Sequence, residues 1–185
     1  ANSIYAALYS NIATAQDVMI DNSASLTMAT NSDLYVSRDW KNNGTFTPGQ
    51  ATVTLVGATP NQIQTINQGI KNNETFYNLT LNTSNGAKGV SLNNGYELTV
   101  SNLLSLESGD IRLTGEAQIV QSGLVGNPTS GTGKIYRDQQ GTRSSFNYNY
   151  WSSPVSNNGL DYTISNVLRD GSDVTTNPFS PTAIN

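Results

Sequence analysis

The chain has 185 residues with no cysteine and no histidine, a net charge of -4 and only 12% charged residues. The missing residue types exclude disulfides, thiolate metal sites, thiol catalysis, the Ser-His-Asp triad and nearly all imidazole ligand sets. The acidic balance argues against a nucleic-acid partner, which needs a basic patch, and no apolar run reaches the roughly 18 residues of a membrane-spanning helix.

In chain order, residues 3–16, SIYAALYSNIATAQ, carry the one stretch of helical periodicity. They read equally as a helix, a first strand pair or a capping segment. The opening ANSIYAALYS lacks the charged n-region of a secretory signal, as expected of a mature chain after cleavage or of a fragment. From there period two dominates, in short bursts. Apolar pairs fall at Val18/Ile20, Leu26/Met28, Leu34/Val36, Val53/Leu55, Leu79/Leu81, Val90/Leu92, Leu98/Val100, Leu104/Leu106 and Ile111/Leu113, then Ala117/Ile119. Such spacing puts both members of a pair on one face of a strand. Between the pairs lie turn formers, among them DNS, TNSD, KNNG, TSNG and ESGD. Trp40 and Phe46, flanking an Asn-Asn-Gly turn, are expected to be buried. Residues 59–76 read as a long polar connection anchored by Ile63, Ile66 and Ile70.

Residues 96–123 divide into sevens, YELTVSN, LLSLESG, DIRLTGE and AQIVQSG. Each piece holds a few strand-forming residues and then a bend. Steps of about six to eight residues are too short for most hairpins, whose strands alone run about five or six residues. Three such steps make a coil of roughly twenty-odd residues, the period of a solenoid. The predicted fold is therefore all-β: a parallel β-helix, or β-solenoid, of short strands, with each strand pairing in parallel with the strand one coil above. Leu98/Val100 should then lie near Ala117/Ile119.

The composition shifts at about Asn127. The segment that follows is rich in Gly, Ser and Pro and carries Phe146, Tyr148, Tyr150, Trp151 and Tyr162. The predicted division is residues 1–126 as solenoid coils and 127–185 as an aromatic-rich cap or flanking β segment, continuing into a further module if the chain is longer. The alternation Phe146/Tyr148/Tyr150 suggests one more strand.

The phrases SDLYVSRDWKNNGTFTPGQATVTLVG, NETFYNLTLNTSNG, LTVSNLLSLESGDIRLTG, IYRDQQGTRSSFNYNYWSSPVS and VLRDGSD occur in that order. Together, over residues 17–173, they resemble a recurrent module of large Bacteroidota cell-surface proteins exported by the type IX secretion system. The resemblance implies an extracellular or cell-surface, adhesin-like β-solenoid module and no catalytic residues. The sequence ends at NPFSPTAIN without the recognisable sorting domain found downstream in such proteins, as expected of a fragment of a longer protein or of a processed chain.

The pectin-cleaving β-helix hydrolases use clustered aspartates with a histidine, and this chain has neither arrangement. Glu107, Asp110 and Arg112 lie near one another but read as a solvated turn beside an outward strand face. The nine basic residues, Arg38, Lys41, Lys71, Lys88, Arg112, Lys134, Arg137, Arg143 and Arg169, read as solvated surface charges. Asp170 and Asp173 of DGSD offer calcium two carboxylates without the acidic repeat of a calcium loop, so the stretch reads first as a plain turn. The sequons at Asn43, Asn73, Asn78 and Asn82 are common chance matches in such a composition. TVT at 52–54 is not continued in the neighbouring coils' sequence as a flat Thr array. The aromatics around Trp151 read as a lid over the last coil, with a glycan platform of Tyr148, Tyr150 and Trp151 as the other reading.

The sequence thus predicts no enzyme, no cofactor and no catalytic or metal site. It predicts a structural or adhesive module of a bacterial surface protein, stalk or filament, located outside the cell or on its surface. The alternatives are a filament subunit joined end to end or by strand exchange, and a carbohydrate-binding or diverged carbohydrate-active β-helix protein. Expected partners are further copies or modules of the same protein, or glycans and surfaces. Tyr148, Tyr150 and Trp151 are the candidate contacts.

Overall fold

The computed structural model describes residues 5–8, 12–57, 63–67, 71–83, 89–122, 129–139, 141, 144, 146–147, 163 and 167–169. The chain divides into two compact units, residues 1–137 and 138–185. Among the described residues of the first, every element is a β-strand, and every ladder between strands is parallel. The fold is a β-solenoid.

Its coils have three sides. The first coil is β1 (Tyr5–Leu8), β2 (Ile12–Ala15) and β3 (Val18–Ile20). The second is β4 (Ser25–Met28), β5 (Asp33–Val36) and β6 (Trp40–Asn42), and the third is β7 (Thr45–Thr47), β8 (Thr52–Leu55) and β9 (Ile63–Asn67). In the next two coils the first two sides run together as one long strand. These are β10 (Asn73–Asn82) followed by β11 (Gly89–Leu92), and β12 (Glu97–Ser108) followed by β13 (Ile111–Leu113). The last is β14 (Gln118–Gln121), β15 (Thr129–Gly131) and β16 (Ile135–Arg137). The third face is one six-stranded sheet, β3-β6-β9-β11-β13-β16. The second face runs through β2, β5, β8 and the second halves of β10 and β12 to β15.

Alternation explains the core. Leu34, Val53, Leu79 and Leu104 occupy one register position on successive coils, and Val36, Leu55, Leu81 and Leu106 the next inward one. None of the eight is more than 3% exposed. Burying each such side chain contributes about 1.5–3 kcal/mol before the entropy of ordering the chain is subtracted. Coil length varies between these columns: Tyr5 pairs with Ser25, twenty residues on, and Thr52 with Asn78, twenty-six on. The variation is absorbed at the corners.

Corners are stitched coil to coil. Before β3, Asp17 Oδ1 accepts the Asp39 backbone N–H (3.1 Å); before β6, Asp39 Oδ1 accepts that of Thr65 (2.8 Å); before β13, Asp110 Oδ1 accepts that of Lys134 (2.8 Å). The DNS and TNSD stretches are turns in which Ser23 and Asn31 take positive φ, 71° and 58°. At the Asn43-Gly44 corner the backbone passes so close to the coil below that a Cβ on Gly44 would run into the carbonyl oxygens of Asp21 and Ala24.

Several expectations are refined. Residues 5–8 and 12–15 are strands, which resolves the segment read as helix or strand pair. The connection expected over 59–76 contains β9, in which Gln64 and Ile66 are the buried positions. Leu98 pairs with Ile119 as expected, but Val100 pairs with Gln121; Ala117 lies beyond the ladder, beside Tyr96, whose carbonyl accepts the Gln118 N–H. β15 and β16 lie past the compositional boundary at Asn127 yet continue the ladders of β12 and β13. Trp40 is fully buried and Phe46 half-buried, with their rings edge to face at 4.8 Å.

Candidate functional site

Tyr148, Tyr150 and Trp151 lie outside the described residues, as do Ile70 and the DGSD stretch. Of the Phe146/Tyr148/Tyr150 alternation only Phe146 is described; it sits in a turn and is 91% exposed. Glu107 and Asp110 accept from different neighbouring coils. Glu107 accepts from Asn82 Nδ2 at 3.2 Å, Asp110 is occupied by the Lys134 backbone, and Arg112 is 5% exposed. The reading of Arg112 as a solvated surface charge is thereby corrected. Its outward position in β13 follows from alternation, but its burial does not. Arg38 is likewise engaged, in an ion pair with Asp17 at 2.5 Å.

On the outer second face, polar side chains bond across coils. Asn78 Nδ2 donates to Thr52 Oγ1 at 3.3 Å, and Asn102 Nδ2 donates to Asn78 Oδ1 at 2.7 Å. The Asn78 sequon therefore lies in a lateral amide ladder.

The one chemically distinctive centre among the described residues is inside the coil. Glu74 and Phe76 occupy the inward positions of the first half of β10, so a carboxyl stands where neighbouring coils carry Leu98 and Ile119. Glu74 is 6% exposed. Its Oε2 accepts from Trp40 Nε1 at 2.9 Å and from Asn42 Nδ2 at 2.7 Å; its Oε1 accepts the Thr75 N–H at 3.2 Å. Asn42 Oδ1 in turn accepts the Gly44 N–H at 2.8 Å, which fixes the amide's orientation. Trp40, Phe46 and Phe76 wall the group, their centroids 4.8 to 5.6 Å apart.

Burial holds the Glu74 carboxyl above its ordinary value; the Trp40, Asn42 and Thr75 donors and the charge of Lys71 pull the other way. Burial, and then the charge of Glu74, push the Tyr96 phenol above its usual range. The Tyr96 hydroxyl is buried with no hydrogen-bond partner among the described residues. Alternation carried the signal for this centre, because 74 and 76 share a face with an acid in the apolar slot. The polar run over residues 59–76 masks it.

Among the described residues no group of three or more Asp or Glu is arranged to hold a metal ion, and no helix is long and apolar enough to cross a membrane. The fold and its inward columns define the class, a parallel β-solenoid. Residues 35–182 match DUF8693, a domain of unknown function, and the chain belongs to that family. No curated protein and no solved structure matches the chain.

Proposed function

We propose that this chain is a non-catalytic structural module, a stiff solenoid segment of an exported bacterial surface protein, stalk or filament. The observation that carries the reading is the unbroken inward column Leu34–Val53–Leu79–Leu104 beneath parallel ladders. Its four side chains form one continuous apolar spine along the second face, where coils two to five are joined strand to strand. A chain built this way transmits load between its ends through many short backbone bonds acting together. The resemblance of its phrases to Bacteroidota surface modules supports an extracellular setting.

Single-molecule pulling on the module held between marker domains tests this. A discrete force peak, with a contour-length gain matching the solenoid, is expected. Extension without a peak would overturn a load-bearing role. Negative-stain microscopy beside size-exclusion chromatography then separates isolated rods, a module within a longer protein, from regular fibres, a self-assembling subunit.

A further inference from the structure

We propose that Glu74 is a protonation-controlled latch across a break in the first face of the solenoid, and that the coil opens there as the carboxyl loses its proton. The first face falls into two pieces. One is the sheet β1-β4-β7; the other joins the first halves of β10 and β12 to β14. No ladder joins β7 to β10 among the described residues, whereas β8 pairs with the second half of β10 and β9 with β11. Among the described residues, coils three and four are thus hydrogen-bonded strand to strand on two faces and not on the first. Such a junction hinges about its closed faces.

What spans the open side is side chain. Glu74 reaches from β10 back to Trp40 and Asn42 of β6, and the Phe46 and Phe76 rings meet at 5.6 Å. As the neutral acid, the carboxyl keeps an oxygen for both donors without the cost of a buried charge. As the carboxylate it gains from the three N–H donors but must hold a charge among aromatic rings.

The surrounding ionisable groups are few. β6 contributes Lys41, on the opposite side of the strand from the buried Trp40 and Asn42; β7 contributes none; β10 itself carries Tyr77, which is half-buried. Lys71, just before β10, acts through its charge. Tyr96 lies beside the carboxyl and Glu97 on the outer face of β12, bonded by Gln118 Nε2 at 2.7 Å.

The folded chain holds the Glu74 proton to higher pH than the unfolded chain, whose carboxyl titrates near 4.5. Latch stability is therefore full below that value, falls as pH rises through the window above it, and levels off once the folded group has ionised.

The test is hydrogen exchange by NMR on the intact chain across this pH range, wild type beside Glu74→Gln. The probes are the Trp40 indole N–H and the amides of β7, with β13 amides as the internal reference. After correction for intrinsic exchange, wild-type protection at these probes is expected to fall relative to β13, by up to tenfold per pH unit within the window. In Glu74→Gln, which keeps a carbonyl oxygen but cannot ionise, the ratio should stay flat. Matching profiles in the two proteins would overturn the proposal. Should the variant fail to fold, carbon-13 titration of the wild-type Glu74 carboxyl decides: a midpoint at or below 4.5 overturns it.

Discussion

At the scale of single residues, the solenoid is most sensitive where one coil's backbone nearly touches the next. Gly44 is such a place: its N–H bonds Asn42 Oδ1, and the Asp21 and Ala24 carbonyls leave no room for a methyl group. Backbone, unlike a flexible side chain, cannot step aside cheaply. Gly44→Ala is expected to cost about 1–3 kcal/mol, read as a lower urea midpoint at unchanged slope. Tyr96 presents the opposite case. Its ring fills space at 0% exposure, but its hydroxyl is buried without a partner among the described residues and lies within reach of the Glu74 charge. An unsatisfied buried hydroxyl costs stability, whereas the ring earns it. Tyr96→Phe should therefore be at least as stable as the wild type, with a urea midpoint equal or higher; a clear loss would mean that the hydroxyl is bonded in solution.

At the scale of the strand and its corner, the same acidic side chain can serve two purposes of unequal weight. Asp17 pairs with Arg38, but both side chains are more than 40% exposed, and such pairs contribute about 0–1 kcal/mol. Its other oxygen accepts the Asp39 N–H and so holds the second coil's corner over the first. Asp17→Asn retains that acceptor and should cost little; Asp17→Ala should cost about 1 kcal/mol more, measured by thermal or urea unfolding. Strands of this kind are legible in sequence because period two survives wherever the inward slots are aliphatic. Val53/Leu55 and Leu79/Leu81 stand out for that reason. The signal fails where inward slots are mixed. Trp40 shares its face with Asn42, Ile66 with Gln64, and Phe76 with Glu74. Each polar member is satisfied by partners far along the chain: Glu74 by Trp40 and Asn42, Gln64 Nε2 by the carbonyls of Val36 and Arg38. Sequence patterns record which face a residue takes, but not which distant donor will meet it. Arg112 makes the complementary point. Alternation placed it outward, and its burial depends on neighbours that alternation does not describe.

At the scale of the whole first unit, each coil touches little beyond the coils above and below, so stability should behave almost one-dimensionally. The column Leu34–Val53–Leu79–Leu104 makes this measurable. Leu79 and Leu104 are direct ladder partners, whereas Leu34 and Leu104 are separated by the coils of Val53 and Leu79. At about 4.8 Å per coil that separation is roughly 14 Å, beyond the range at which core substitutions usually interact. Each Leu→Ala change should cost about 2–5 kcal/mol, because a fully enclosed slot between coils collapses poorly. Leu34→Ala with Leu104→Ala should then add to within about 0.5 kcal/mol, while Leu79→Ala with Leu104→Ala should deviate by more, as the two cavities merge. Urea unfolding of the three single and two double variants completes both cycles. The break between β7 and β10 sharpens the expectation, because it removes one of the three ladders through which coils two and five could communicate. Strong coupling between Leu34 and Leu104 would mean that the solenoid responds as one body and that the first-face break does not weaken it.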